Sequence, residues 1–187
     1  GRDRLLMYGE TSAPVYRRVM TPDDGLRPQL INLYACRRVL IEDVTLLNSP
    51  FWVIHPLFCE SLTVKGVHVY NRGPNGDGCD PESCKNVLIE DCTFDTGDDC
   101  IAIKSGRNQD GRRWNIPSEN IIVRNCLMKN GHGGVVIGSE ISGGYRNLYV
   151  ENCRMDSPDL DRVIRIKTST CRGGVIENIF VRNITVG

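Results

Sequence analysis

Three carboxylates lie at matching points of two neighbouring stretches of the chain. Asp77 lies in the sequence NGDGCD at residues 75–80, and the adjacent pair Asp98 and Asp99 lies in GDDCIAIK at residues 97–104. Crowded acids raise the proton affinity of one of them, so that one carboxyl stays protonated while another is ionised. The spacing therefore indicates general acid and general base chemistry.

A repeated seven-residue segment, which we call the phrase, positions these residues. Six seven-residue segments alternate apolar and polar residues, which is typical of a strand with one buried face. They begin at Arg38, Ser61, Asn86, Asn120, Asn147 and Asn178. Four of these phrases are followed by a further apolar strand, at 51–55, 100–104, 134–138 and 163–167. No helical pattern competes, so the sequence predicts two strands per repeat.

The phrases recur at irregular intervals with no helix between their strands, which predicts an all-β solenoid. We interpret it as a right-handed parallel β-helix of about six coils. Leucine-rich repeats would keep a more constant period, and a β-sandwich would show hairpin turns. We expect one domain over residues 1–187, with a loop-rich entry segment at 1–27 and coils at 28–187. Neither end has a cap, so we expect the solenoid to be truncated at both ends.

Counting from the phrase starts places polar residues on successive coils. Asp98 and His132 lie at the same distance from the starts of their phrases, and Asp77 lies slightly further from the start of its own. Arg165 and Lys167 are two positions apart on one strand and therefore on one face. We predict that these side chains line a cleft along the solenoid.

Each of these residues also has a plainer interpretation. An aspartate beside glycine is usually a turn residue, which alone would explain Asp77 or Asp80. Asp98 and Asp99 could cap a turn or hold calcium through oxygen ligands. His132 could be a loop residue, and the later cation pair a solvated strand face. Their coincidence on four consecutive coils favours a functional site.

Composition argues against several classes of protein. The 23 basic and 23 acidic residues give a formal net charge of zero, which argues against binding to nucleic acid or an anionic membrane. No apolar run approaches the roughly 18 residues that span a bilayer. Nine cysteines are present, and Cys92, Cys126 and Cys153 share one repeat position. We predict that these three are stacked core residues rather than disulfides or metal ligands.

Four short motifs in this order resemble the signatures of the polygalacturonases, glycoside hydrolase family 28. They are NGDGCD at 75–80, GDDC at 97–100, GHG at 131–133 and RIK at 165–167, and the resemblance extends from about Arg27 to Gly187. The neighbouring sequences DPES, IAIKSG and VVIGSE are similar to the bacterial, exo-acting branch. Gly76 departs from the family, in which threonine or asparagine is common at this position. The implied fold is a pectin-lyase-like β-helix.

The resemblance implies hydrolysis of α-1,4 linkages between the galacturonic acid units of pectin, with inversion. Inversion typically uses two carboxyl groups roughly 6.5–9.5 Å apart, one to protonate the leaving oxygen and one to activate water. By match to the motifs, Asp98 would be the general acid, and Asp77 and Asp99 would hold and activate the water. His132 would tune the acid.

The remaining matched residues are expected to bind substrate. Arg165 and Lys167 would pair with the uronate carboxylate, arginine through a planar two-point contact and lysine as a point charge. We also assign Lys104 and Asp80 to substrate binding. The mechanism requires no metal and no cofactor, and the expected partner is a pectic polysaccharide or oligogalacturonide.

Other functions remain as alternatives. Rhamnogalacturonan or xylogalacturonan hydrolysis would differ only in subsite residues. A pectate lyase would use calcium and an arginine base, and would leave the histidine and the RIK motif without a role. A noncatalytic carbohydrate-binding β-helix would explain the repeats only. We expect a secreted or periplasmic protein, although this chain shows no signal peptide. We expect activity of the full-length protein rather than of this stretch alone.

Overall fold

The computed structural model describes residues 27–187, and these form the parallel β-solenoid that the repeats predict. The strands in chain order are β1 (Ile31–Tyr34), β2 (Arg37–Glu42), β3 (Thr45–Leu47), β4 (Ile54–Leu57), β5 (Glu60–Lys65), β6 (His68–Asn71), β7 (Lys85–Glu90), β8 (Thr93–Thr96), β9 (Ile101–Ile103), β10 (Ser118–Arg124), β11 (Leu127–Asn130), β12 (Val135–Gly138), β13 (Tyr145–Glu151), β14 (Arg154–Met155), β15 (Ile164–Lys167), β16 (Ile176–Arg182) and β17 (Thr185–Val186). The predicted entry segment lies, except for Arg27, outside the described residues.

Three parallel sheets run along the solenoid. The first sheet contains β2, β5, β7, β10, β13 and β16, and the second contains β3, β6, β8, β11, β14 and β17. The third sheet contains β1 with β4, and β9 with β12 and β15. Single bridges from Cys79 to Ile54 and to Ile101 connect its two parts. The two six-stranded sheets correspond to six coils, as predicted.

Each complete coil contains three strands, so the prediction of two strands per repeat was wrong. The seven-residue phrase bends at its sixth residue, where φ is between 51° and 59° in all six copies. These bends are at Asp43, Gly66, Asp91, Asn125, Asn152 and Asn183. Asparagine, aspartate and glycine tolerate this left-handed backbone. The chain therefore turns there and starts the short strand of the second sheet.

A helix, α1 (Asn108–Trp114), was also not predicted. It lies in the longest repeat, between β9 and β10, and ends at Asn115 in a left-handed conformation (φ 50°). Its basic residues in the last turn, Arg112 and Arg113, suit the negative end of the helix dipole. No helix within residues 27–187 is long and apolar enough to cross a membrane.

The core lies inside the three sheets. Its members are inward-facing valine, isoleucine, leucine and cysteine side chains from successive coils, which form one continuous cluster. Cys92, Cys126 and Cys153 are 1–2% exposed at matching positions, as predicted. All nine cysteines are unpaired. Stacking of equivalent apolar residues thus stabilises each coil through its neighbours.

An asparagine ladder links four coils at the start of the first sheet. The first residue of every phrase has a left-handed backbone, with φ between 56° and 64°. Side-chain amides donate from Asn120 to Asn86, from Asn147 to Asn120 and from Asn178 to Asn147, at 2.8–3.0 Å. The repeated asparagine therefore fixes both the turn and the stacking of the coils.

Two charge ladders border the outer surface of the first sheet. Strand register puts opposite charges next to each other at every coil step. One ladder is Arg37, Glu60, Lys85, Glu119, Arg146 and Glu177, and the other is Glu42, Lys65, Glu90, Arg124, Glu151 and Arg182. Ion pairs of 2.5–3.7 Å form along both. Opposite charges across neighbouring strands favour this register.

Candidate active site

The register of the third sheet brings the predicted acids together. Backbone hydrogen bonds of 2.9 and 3.0 Å between coils place Trp52, Asp77 and Asp99 in one row on three successive coils. Neighbouring parallel strands are about 4.8 Å apart. Asp77 and Asp99 are therefore one coil step apart, and Asp98 precedes Asp99 in the same turn.

The three acids form one compact group. One carboxylate oxygen from each of Asp77, Asp98 and Asp99 lies within 4.8 Å of the others. Asp77 is 3% exposed and Asp99 is fully buried, whereas Asp98 is partly exposed. Adjacent residues and adjacent coils bring these oxygens together, while the expected separation of roughly 6.5–9.5 Å between whole carboxyl groups stays a prediction. Acids at this distance titrate as a coupled unit.

His132 contacts Asp98 through both side chain and backbone. Its Nδ1 lies 3.1 Å from Asp98 Oδ1, and its N–H donates to Asp98 O at 3.0 Å. The N–H of Asp99 donates to Asp98 Oδ1 at 3.0 Å. Burial alone would raise the pKa of Asp98, but His132, Lys167 and these bonds bring it below its ordinary value. These contacts therefore favour the ionised form of Asp98.

Burial instead favours protonation of Asp77 and Asp80. Burial and the charge of Asp98 raise the pKa of Asp77 to about 7, against the opposing charge of Lys104. Burial and Asp77 raise the pKa of the fully buried Asp80 well above its ordinary range. Within the described structure, one oxygen of Asp77 and both oxygens of Asp80 have no hydrogen-bond partner. A proton on these carboxyls reduces the cost of burying them.

Of the two cations on β15, Lys167 is paired with an acid and Arg165 is not paired within residues 27–187. Lys167 Nζ lies 2.5 Å from Asp99 Oδ2. Burial raises the pKa of Asp99 even though Lys167 opposes this. Arg165 is partly exposed and has no hydrogen bond or ion pair to any of residues 27–187. An incoming anion could therefore bind Arg165 directly, and would compete with Asp99 for Lys167.

The two other predicted substrate-binding residues are buried together. Lys104 Nζ lies 3.6 Å from Asp80 Oδ1, 3.3 Å from Glu140 Oε2 and 4.6 Å from the centroid of the Trp52 ring. Burial lowers the pKa of Lys104, but Asp80, Asp77 and Glu140 outweigh it and raise that pKa above its ordinary value. Lys104 is therefore a buried cation beside the acids, next to the Trp52 ring.

Supporting contacts fix the turns that carry the acids. The Thr96 hydroxyl lies 2.8 Å from Asp98 O and 3.1 Å from Asn130 O. Asp95 accepts two hydrogen bonds from Arg72, at 2.8 and 3.1 Å, and one from Asn130 at 2.7 Å. Turns from three successive coils are thus tied together beneath the site.

Two glycines are required by close packing of these turns. A Cβ at Gly97 would lie 2.1 Å from Arg72 O, and one at Gly76 would lie 2.5 Å from both Asn71 O and Gly73 O. Backbone oxygens cannot move aside easily at such distances. Gly76, the departure from the family motif, is therefore fixed by the close approach of its own turn.

Several residues of the site were not predicted. His55 Nε2 lies 2.9 Å from Glu82 Oε2, and the other Glu82 oxygen accepts from Gly106 N–H at 3.1 Å. Glu140 holds Lys104, as described above. Trp52 could have been found by counting, because its distance from the start of its phrase lies between the corresponding distances of Asp98 and Asp77.

The acid group is also the candidate metal centre within residues 27–187. Carboxylate oxygens suit a hard cation such as calcium. However, the ammonium group of Lys167 already neutralises Asp99, and the raised pKa of Asp77 disfavours the ionised form that a metal needs. The arrangement fits acid–base chemistry better than metal binding.

The chain is similar to known proteins in both sequence and fold. The family profile described as "Glycosyl hydrolases family 28" matches residues 20–187. A probable polygalacturonase of Vitis vinifera is 37% identical over 163 residues, which is 86% of this chain and 33% of that protein. An exo-poly-alpha-D-galacturonosidase of Dickeya chrysanthemi is 32% identical over 185 residues, which is 97% of this chain and 30% of that protein.

The chain also resembles a solved structure in both sequence and fold. The hyperthermoactive exopolygalacturonase of Thermotoga maritima is 44% identical to this chain, with a TM-score of 0.81. The match covers 98% of this chain and 44% of that one. The chain thus spans about a third of the length of the curated relatives and less than half of this solved structure.

Proposed function

The chain belongs to glycosyl hydrolase family 28, and we propose on that basis that the full-length protein hydrolyses α-1,4 linkages of polygalacturonate. One observation carries the proposal: three carboxylates with oxygens within 4.8 Å of one another lie beside His132 and the Arg165–Lys167 pair. This arrangement combines proton transfer with recognition of an acidic sugar. A binding module would not need it.

Arg165 and Lys167 are proposed to bind the uronate carboxylate. Arg165 is the available cation of the pair, and its planar guanidinium suits a carboxylate. Lys167 would share its charge between the substrate and Asp99. A neutral protein can therefore recognise an acidic polymer through one local pair of cations.

Asp98 is proposed as the general acid, although its contacts favour the ionised form. Lys167 is one of the charges that lower the pKa of Asp98. When a substrate carboxylate neutralises Lys167, that effect weakens and the pKa of Asp98 rises. The nearby Asp77 holds a proton in the free protein and could supply it within the coupled group. Substrate binding would thus create the protonated acid.

The stereochemical outcome is a separate part of the proposal. The family resemblance implies inversion, in which one acid protonates the leaving oxygen and another activates water. Two acids, Asp77 and Asp99, can hold one water between neighbouring coils, and we propose that this water attacks. Proton NMR of the first product would show β-galacturonate for inversion and α-galacturonate for retention.

We propose exo action and a pectic substrate outside the cytoplasm. The names of the Dickeya and Thermotoga relatives describe exo-acting enzymes, and a polymeric substrate is most accessible to a secreted or periplasmic enzyme. Fractionation of the producing cells would test the location. Activity in the cytoplasmic fraction alone would contradict it.

The decisive experiment compares full-length wild type with Asp98→Asn on polygalacturonate. We expect release of reducing sugar by the wild type and loss of activity in the variant, with Asp159→Asn, an exposed aspartate, as the matched control. Rhamnogalacturonan and xylogalacturonan in parallel assays test the related hydrolases. Products with an unsaturated ring, detected by ultraviolet absorbance, would show a lyase. No turnover of any of these polymers would overturn the proposal.

A further inference from the structure

Three outward-facing polar residues of the third sheet are buried beside the acids. His55, Asp80 and Lys104 are 5%, 0% and 3% exposed, although they face away from the core. A polar side chain on the outside of a sheet is buried only when another group covers it. A cover therefore lies on the side of the earlier coils.

The cover within the described structure is an aromatic pair. Phe51 and Trp52 stack with ring centroids 4.8 Å apart, and the Trp52 ring lies 5.0 Å from His55 in an edge contact. Lys104 Nζ lies 4.6 Å from the Trp52 ring centroid. We call Phe51 and Trp52 the aromatic wall. Its indole sits over the buried polar residues.

Each ring of the aromatic wall contacts a cation that is itself held by other residues. Lys104, next to Trp52, is fixed by Asp80 and Glu140. Arg27 lies 5.0 Å from the Phe51 ring centroid. The same Arg27 donates to Pro74 O at 3.0 Å, in the turn that leads to Asp77. These contacts favour one fixed position of the rings.

The position of the wall limits the space beside the acids. Trp52 occupies the same row as Asp77 and Asp99, one coil earlier. One coil step is about 4.8 Å. The Trp52 backbone is therefore one coil step from Asp77 on the side of the earlier coils, where a longer substrate would have to continue.

We propose that the aromatic wall ends the substrate path on the side of Trp52, so that only a chain end with one terminal sugar can occupy that side. This inference rests on the proposed polygalacturonate hydrolysis and deepens it. It assigns exo action and release of single galacturonate units to Phe51 and Trp52. The polymer then extends across the acids toward Arg165 and Lys167.

The test compares full-length wild type and Trp52→Ala on polygalacturonate. Solution viscosity is plotted against the number of reducing ends, and early products are separated by anion-exchange chromatography. We expect the wild type to release monomer with little loss of viscosity. Removal of the indole opens the path, so the variant should produce longer oligomers and a several-fold larger loss of viscosity at equal bond cleavage.

Trp114→Ala is the matched control. This second tryptophan is exposed at the end of α1, and its aromatic partner among the described residues is Phe58. Its removal should leave the product pattern unchanged. If Trp52→Ala does not fold, as judged by circular dichroism, Trp52→Leu replaces it, because leucine retains apolar cover but not the width of the indole.

The outcomes separate the two proposals. If the wild type hydrolyses polygalacturonate but releases mixed oligomers at once, the proposed role of the aromatic wall is overturned and the proposed hydrolysis stands. A folded, active Trp52 variant that still releases monomer alone also overturns the wall. Absence of hydrolysis by the wild type overturns the proposed function itself.

Discussion

Replacement of Asp77 by asparagine should stabilise the protein at alkaline pH and not at acidic pH. The pKa of Asp77 is raised to about 7 by burial, whereas its unfolded value is about 3.9. The folded protein therefore binds a proton that the unfolded chain loses first. Stability from this group is fully present below about pH 4 and is lost as pH rises toward 7.

The size of the stability difference between Asp77→Asn and wild type follows from the shift in the pKa of Asp77. Three pKa units at about 1.4 kcal/mol each set an upper value of about 4 kcal/mol. Asp80 and Asp98 share the titration, so we expect about 2–4 kcal/mol above pH 8. Asparagine has nearly the shape of the protonated acid and stays neutral at every pH. The variant therefore keeps the stability that the wild type loses.

Denaturant unfolding of the full-length proteins at pH 4 and pH 8 measures the effect. Far-ultraviolet circular dichroism follows the loss of sheet, and Asp159→Asn serves as the control because Asp159 is exposed. We expect equal midpoints for Asp77→Asn and wild type at pH 4, and a higher midpoint for the variant at pH 8. Equal midpoints at pH 8 would refute a raised pKa for Asp77.

Three further outcomes are expected. Asp98→Asn should lower kcat on trigalacturonate by about 10²–10⁴-fold with little change in KM, in steady-state assays of reducing sugar; a large change in KM alone would contradict its role as acid. Arg165→Lys should raise KM on the same substrate more than it lowers kcat, because it keeps the charge and loses the two-point contact; an unchanged KM would exclude carboxylate binding. Asn120→Ala should lower the unfolding free energy by about 1–2 kcal/mol, since two ladder bonds and a left-handed residue are affected, while Asn115→Ala, an exposed left-handed position outside the ladder, separates the backbone contribution.

The sequence predicted the coil order but not the third strand of each coil. Alternation identified all six phrases, because one face of each is buried. The short strands of the second sheet, such as β14 with two residues, contain too few residues to show alternation. A signal was nevertheless present, since the sixth phrase residue is aspartate, asparagine or glycine in every copy. These residue types favour the left-handed bend that separates the strands.

Site residues at equivalent positions of successive coils could be predicted from the sequence. Contacts that a long side chain makes across coils could not. Counting placed Asp77, Asp98 and His132 in one region, because equivalent residues stack. It did not reveal that Lys104 spans to Trp52, since the reach of a long side chain depends on packing. The protonation of Asp77 was also beyond counting, because burial depends on the assembled coils.

The two charge ladders of the first sheet restrict the number of coils by which this solenoid can be lengthened or shortened. Signs alternate at every coil step in both ladders. Deleting or duplicating one inner coil would place like charges side by side twice, once in each ladder, which is unfavourable. A unit of two coils keeps the alternation. Lengthening or shortening of this protein, by evolution or by design, should therefore proceed in pairs of coils.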